Sequence, residues 1–230
     1  EHGDVAAFLS VREVADRVGV GPATVVRFRR EMGYEGFSDY QDNTRRQFLA
    51  HDTFVQRLRK RIETGSFGGD LAGQLVGIHV ANIENTLGRV ADDHLEQAVE
   101  AILDAQVIRI FGSGLSASVA VSAEHAFSVL GLQARATSNG GLSHMRELSR
   151  ITEDDLVFSV SVWRYMKDSV TAAKVGREVG AKVIALTDSP IAPIARFSDL
   201  LFVADTAGLL HSRSHLGLMS LVQLLGSAVA

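Results

Sequence analysis

Apolar residues in the first part of the chain recur at helical spacing, three or four positions apart. The first such set is Val11, Val14, Ala15 and Val18. Gly19 ends the predicted helix, and Pro22 suits the first turn of the next one, because proline lacks only an amide hydrogen that is unpaired there. Further helices are predicted over residues 38–62, 71–90 and 95–103.

From residue 107 onward, short apolar runs alternate with helical segments. The runs are typical of buried strands, and they are Val107–Phe111, Gln133–Thr137, Leu156–Val160, Lys182–Leu186 and Leu200–Val203. Parallel strands need a crossover of about a dozen residues, usually a helix. The alternation therefore predicts an α/β domain with a five-stranded parallel sheet covered by helices on both faces, a three-layer αβα arrangement.

The composition changes most sharply at residues 64–70, where Gly65, Gly68 and Gly69 lie among turn-forming neighbours. We expect an all-α domain over residues 1–64, a linker with a connecting helix over residues 65–90, and the α/β domain over residues 91–230. Residues 1–66 carry a net charge of +1 and residues 67–230 one of −5, within a total of −4. Basic residues cluster in the first part at Arg27, Arg29 and Arg30.

The composition excludes several function classes. The chain has no cysteine, which removes disulfides, thiolate metal sites and cysteine nucleophiles. No run of about 18 apolar residues is present, and residues 1–4 lack the basic and apolar order of a secretory signal. We therefore expect a cytoplasmic protein without a membrane partner, and no pattern indicates a bound metal.

Residues 12–28 have the spacing of a helix-turn-helix, a unit that places its second helix in the DNA major groove. In this interpretation Ala23, Thr24 and Arg27 would face the bases, since they lie at the start of the second helix. Arg29 and Arg30 would contact phosphates, which adds affinity without sequence information. The alternative is a plain helical hairpin whose basic residues form a solvated face.

A glycine- and serine-rich turn follows the first predicted strand, at Gly112–Ser118. Glycines let a backbone approach a ligand closely, and the free amides at a helix start attract anions, of which phosphate is the natural guest. The dinucleotide fingerprint is incomplete, because no acidic residue ends the second strand near Arg135–Thr137. We therefore expect no nicotinamide cofactor, and no cofactor of another kind.

Two stretches together resemble one family. Residues 14–41, VADRVGVGPATVVRFRREMGYEGFSDYQ, resemble the DNA-binding region of RpiR-type (MurR/RpiR) regulators. The strands from about residue 95 onward resemble a sugar isomerase (SIS) domain, with its first loop matched at Gly112, Gly114 and Ser116 and its fourth strand at residues 180–189. The resemblance implies a transcription regulator, a homodimer or homotetramer, that binds operator DNA and senses a phosphosugar or related small anionic metabolite. Family members usually carry another helix upstream, so the DNA-binding domain is expected to be incomplete at its amino terminus.

The resemblance also implies an effector site on the loops that follow the strands. Its predicted residues are Ser113, Gly114, Ser116, Ser161, Arg164 and Thr187. Where the family has serine, any residue, serine, glycine, any residue and threonine after the third strand, this chain keeps only the first serine. Arg164 could hold the anion in place of the lost hydroxyls, and Trp163 or Tyr165 could stack on a ring. Alternatively, Trp163 is a core residue and Arg164 forms an ion pair.

A different function class remains open, a phosphosugar isomerase with a helical appendage. His144, Glu124 and His125 could in principle move protons in an isomerisation, but no defined spacing pairs them. We therefore predict that the chain is not an enzyme and assign no catalytic residue. A third alternative is a sugar-responsive module that regulates a protein partner.

Overall fold

The computed structural model describes residues 11–31, 70–163, 165–209 and 213–230. The chain divides into two compact units, Glu1–Leu71 and Ala72–Ala230. In the first unit, helix α1 (Val11–Val18) and helix α2 (Pro22–Glu31) are joined by a turn at Gly19, as predicted. The predicted helix over residues 38–62 lies outside the described residues.

The remaining described residues alternate between helices and strands. In chain order these elements are α3 (Leu71–Leu87), α4 (Asp92–Asp104), β1 (Ile108–Gly112), α5 (Ala117–Val129), β2 (Ala134–Thr137), α6 (Leu142–Leu148), β3 (Leu156–Ser161), α7 (Lys167–Val179), β4 (Lys182–Thr187), β5 (Leu200–Val203) and α8 (Leu216–Val229). Short 3₁₀ turns lie at Gly114–Ser116 and Ala195–Phe197. All five predicted strands are confirmed, with bounds that differ by at most one residue.

The strands form one parallel sheet in the order β2-β1-β3-β4-β5. The register places Gly112 of β1 beside Val160 of β3, and Ser161 of β3 beside Thr187 of β4. The carboxyl ends of β1, β3 and β4 therefore lie next to one another at one edge of the sheet. The predicted α/β class with a five-stranded parallel sheet is confirmed.

Helices cover both faces of the sheet, which gives three layers. On one face, α4, α5 and α8 pack on apolar side chains such as Ile110, Phe158 and Leu186. On the other face, α6 and α7 pack on Phe111 and Val157, among others. Successive strand residues point to opposite faces, so continuous apolar runs are required when both faces are buried.

Helix α3 is hydrogen-bonded to the segment that follows β5. The side-chain amide of Asn82 donates to the carbonyl oxygen of Ala207 at 2.8 Å, and the backbone amide of Asp205 donates to Oγ1 of Thr86 at 2.9 Å. Arg89, just beyond α3, forms an ion pair with Asp205 at 2.6 Å. These contacts attach the carboxyl-terminal half of α3 to the α/β unit.

Candidate functional site

The strand order creates a crevice at the carboxyl ends of β1 and β3. The chain leaves β1 toward α5 on one face of the sheet and leaves β3 toward α7 on the other. In open parallel sheets, ligands bind where neighbouring strands connect to opposite faces, outside the carboxyl ends. The loops after β1 and β3 therefore form the candidate ligand site.

The turn after β1 is built around two glycines. A Cβ at Gly112 would lie 2.6 Å from the backbone oxygen of Ser116, so only glycine allows the turn to fold this close to the strand. Gly114 has φ +61°, a conformation that glycine adopts without strain. Ser113 and Ser116 are both buried, and neither side chain caps the helical segment that follows it. Neither hydroxyl is therefore used in capping a helix.

Ser161 and Thr187 lie side by side at the ends of β3 and β4, but their hydroxyls differ. The Thr187 hydroxyl donates to the carbonyl oxygen of Ser161 at 2.7 Å. The Ser161 hydroxyl is buried and has no hydrogen-bond partner among the described residues. Thr187 thus ties two strand ends together, whereas Ser161 presents an unused donor and acceptor.

The loops after β1 and β3 approach each other. A Cβ on Gly114 would lie 3.8 Å from Cγ of Met166, which comes directly before α7. Tyr165, between β3 and α7, has φ +21°, the one positive value among non-glycine residues in the described ranges. Arg164, the predicted charge partner of the ligand, lies outside the described residues.

A charged cluster that the sequence analysis missed lies beside these loops. The Asp188 carboxylate, directly after β4, accepts the backbone N–H of Trp163 at 3.1 Å and pairs with the Arg213 guanidinium at 3.3 Å. Arg213 also donates to Oγ1 of Thr206 at 3.0 Å, and its guanidinium lies 5.5 Å from the centre of the Trp163 ring. The position of Asp188 at a strand end was the available signal; its partner Arg213 carried none.

The histidines and the glutamate considered for proton transfer do not form one group. His144 is buried edge-on against Phe111, at 5.4 Å between ring centres, and neither of its nitrogens has a partner within the described ranges. The Glu124 carboxylate accepts the backbone N–H of Ala136 at 3.0 Å. His125 is exposed on α5. A further histidine that the sequence analysis did not consider, His215, lies 3.5 Å from the Ser118 hydroxyl, and burial lowers its pKa below the ordinary 6.5.

The helical unit has the packing of the predicted helix-turn-helix. Ala15 of α1 and Val25 of α2 are buried, which lets the two helices cross closely. Ala23, Thr24 and Arg27 are exposed along the first turns of α2. Arg29 and Arg30 belong to the same helix, but their side chains lie outside the described part.

The described residues hold neither a metal-binding cluster nor a membrane-spanning helix. No group of three or more histidine, aspartate or glutamate side chains there has the arrangement of a metal site. No helix in the same ranges is long and apolar enough to cross a membrane.

Comparison with known proteins places both units. The family model of the SIS domain matches residues 101–223, and that of the rpiR-family helix-turn-helix domain matches residues 1–47. An uncharacterized HTH-type transcriptional regulator of Haemophilus influenzae is 27% identical over 201 residues, which are 87% of this chain and 69% of that protein.

Solved structures agree with this assignment. The sugar isomerase domain of an RpiR transcription factor from Sphaerobacter thermophilus is 37% identical, with a TM-score of 0.69 over 70% of this chain and 90% of that one. NanR of Vibrio vulnificus, in its complex with ManNAc-6P, shares the fold with a TM-score of 0.66 at 23% identity, over 97% of this chain and 79% of that one. The chain belongs to the RpiR family of transcriptional regulators, in which a helix-turn-helix domain precedes a SIS domain.

Proposed function

We propose that this regulator binds a phosphosugar-like anion in the crevice between the loops that follow β1 and β3. The observation that carries the proposal is the buried Ser161 hydroxyl without a partner in the described part, beside the buried Ser113 and Ser116 of the glycine turn. Phosphate oxygens accept hydrogen bonds from hydroxyls and from free amides at helix starts. The fold relationship to NanR, described with ManNAc-6P, supports the same ligand class.

The effector would alter operator affinity by favouring one arrangement of the protein over another. A ligand that binds two arrangements with equal affinity does not shift the equilibrium between them. The effector site must therefore differ between the arrangement that binds operator and the one that does not. Arg164 stays our sequence-based candidate for a charged ligand contact. The domain bounds of 1–64, 65–90 and 91–230 likewise remain a proposal.

Operator binding is proposed to use Ala23, Thr24 and Arg27 for the bases and Arg29 and Arg30 for phosphates. The exposure of the first three on α2 supports this assignment. A helix-turn-helix usually meets two half-sites, so we propose a homodimer or homotetramer. Val121 and Val129 of α5 support an interface, because they are 49% and 71% exposed although the helix is largely apolar.

We propose further that the chain does not catalyse isomerisation. The Glu124 carboxylate is engaged by a backbone amide, and His144 packs against an aromatic ring. An isomerase needs an acid or base within hydrogen-bond reach of the proton that it moves. Incubation with aldose and ketose phosphates, followed by NMR, should show no interconversion above the rate without protein.

The effector proposal is tested by operator binding. Selection from a random DNA pool identifies the operator, and fluorescence anisotropy then measures its affinity with and without a panel of phosphosugars. Ser116→Ala and Ser161→Ala should bind operator like the parent but lose the response to the active phosphosugar.

Ser198→Ala is the matched control, because its hydroxyl donates locally to the carbonyl oxygen of Ala195, just before β5. It should respond like the parent. If no phosphosugar changes operator affinity, the proposed ligand class is wrong. If both site variants respond normally, the ligand binds elsewhere.

A further inference from the structure

We propose that the Asp188 carboxylate is a resident anion of the effector site, which an incoming anion must displace to reach the Trp163 backbone amide and the Arg213 guanidinium. The inference rests on the proposed function, since it assigns the competitor and the cation of that same site. It also names Arg213, which lies well outside the loops from which the sequence predicted the site.

Asp188 is surrounded by donors that suit an external anion. One carboxylate oxygen, Oδ2, accepts the backbone N–H of Trp163 at 3.1 Å and faces Arg213 Nη1 at 3.3 Å. A backbone amide in a loop after a strand, together with a guanidinium, is a donor set that binds phosphate or carboxylate in proteins. Asp188 therefore uses donors that suit an external anion.

The Asp188 carboxylate is incompletely hydrogen-bonded within the described residues. Its side chain is only 4% exposed, and its second oxygen, Oδ1, has no hydrogen-bond partner among the described residues. A buried carboxylate oxygen without a donor carries a desolvation penalty, which the contacts of Oδ2 offset only in part. This penalty lowers the free-energy cost of displacing Asp188 by a ligand whose oxygens are all hydrogen-bonded.

Asp188 and its two partners lie at the carboxyl ends of the strands. Asp188 directly follows β4, Trp163 follows β3, and Arg213 comes shortly before α8, so one ion pair and one hydrogen bond of Asp188 connect three segments at the ligand edge of the sheet. The Ser161 hydroxyl, unpartnered in the described part, ends the strand that leads to Trp163. A ligand held by Ser161 would lie close to the donors that Asp188 occupies.

The proposal predicts the effect of removing the charge while the shape is kept. Asp188→Asn retains an oxygen for the Trp163 amide but no longer neutralises Arg213. Inorganic phosphate, which has no sugar hydroxyls, should bind this variant at least tenfold more tightly than the parent in isothermal titration calorimetry. Adding Arg213→Gln to Asp188→Asn should reverse the gain, because the freed guanidinium supplies it.

Asp199→Asn is the matched control. The Asp199 carboxylate also accepts a backbone N–H, that of Val183 at 2.8 Å, and also faces an arginine, Arg177, at 3.6 Å. It lies just before β5, at the amino ends of the strands and thus at the opposite edge of the sheet. Its substitution should leave phosphate affinity within twofold of the parent.

A second measurement needs no variant. Trp163 is the only tryptophan of the chain, and Arg213 lies over its ring. Phosphate that displaces Asp188 should change the tryptophan emission saturably, whereas sodium chloride at matched ionic strength should not. If circular dichroism shows that Asp188→Asn is unfolded, this fluorescence titration of the parent tests the inference in its place.

The outcomes separate this inference from the proposed function. The inference is wrong if folded Asp188→Asn binds phosphate no more tightly than the parent. If the variant is unfolded, the inference is wrong when phosphate does not change the tryptophan emission of the parent. In either case Asp188 only stabilises the fold. The proposed function would still hold if a phosphosugar changes the operator affinity of the parent. Conversely, tighter phosphate binding by Asp188→Asn, without any phosphosugar effect on operator affinity, supports the resident anion and rejects phosphosugars as effectors.

Discussion

Replacing Gly112 by alanine tests the close approach of the ligand turn to its strand. The added Cβ would lie 2.6 Å from the backbone oxygen of Ser116 and 2.9 Å from the Cβ of Ala120. Neither atom can rotate away, since one is backbone and the other is fixed to the backbone of α5. Relief therefore requires the start of α5 to move, and overpacking of this kind costs about 1–3 kcal/mol.

The loss is measured by urea denaturation followed through Trp163 fluorescence. The only tryptophan lies in the α/β unit, so the signal reports that unit independently of the helical one. For a unit of this size the loss corresponds to a fall in Tm of about 2–12 °C. Gly77→Ala, with no heavy atom within 4 Å of the new Cβ in α3, should instead stabilise the unit by up to about 1 kcal/mol. A Gly112→Ala protein as stable as the parent would refute the close approach.

Three further predictions concern DNA binding, a buried ion pair and pH. Arg27→Ala should weaken operator binding by about 1–3 kcal/mol and relax the sequence preference at one base pair per half-site. Fluorescence anisotropy on operator variants measures both effects, and an equal loss of affinity on all sequences would instead identify Arg27 as a phosphate contact. Asp155→Asn should destabilise the α/β unit by about 3 kcal/mol in urea, because the side chain is 3% exposed and bonded to Arg109 at 2.7 Å, and a negligible loss would contradict its role. Burial lowers the pKa of His215 in the folded state. The unfolded state therefore binds more protons, so the free energy of unfolding should fall as the pH drops below 6.5 toward the folded pKa. His215→Gln should flatten this fall in urea midpoints between about pH 7.5 and about pH 5, and an unchanged slope would assign it to other groups.

The α/β fold was predictable because its central strands β1, β3 and β4 are buried on both faces. Every residue of Leu156–Ser161 is buried, and the strand is marked by a mainly apolar run that follows two aspartates, although it includes Ser159 and Ser161. The glycine turn after β1 was predictable for a related reason, since residues that permit a tight turn directly follow such a run. Both signals are local in the sequence and need no knowledge of which strands are neighbours.

The contacts of the candidate site were less predictable, because they depend on strand order. Thr187 was expected to face a ligand, yet its hydroxyl donates to the Ser161 carbonyl oxygen on the neighbouring strand. The pairing of Asp188 with Arg213 brings together segments on either side of β5. Sequence spacing places each residue at a strand end or a helix start, but only the assembled sheet decides which side chains meet.

The position of Arg213 also indicates how a ligand signal can leave the site. Arg213 precedes α8, and α8 packs on α5, where a Cβ at Gly226 would lie 3.7 Å from the Cβ of Ala126. Helix α5 in turn carries the exposed Val121 and Val129 proposed as an interface. Coupling between two sites is typically about 1–3 kcal/mol, equivalent to a change in affinity of about 5- to 150-fold. The Arg213 side chain is 35% exposed, so the ion pair with Asp188 is only part-buried, and we propose that its release biases the packing of α8 and α5 by a free energy within that range.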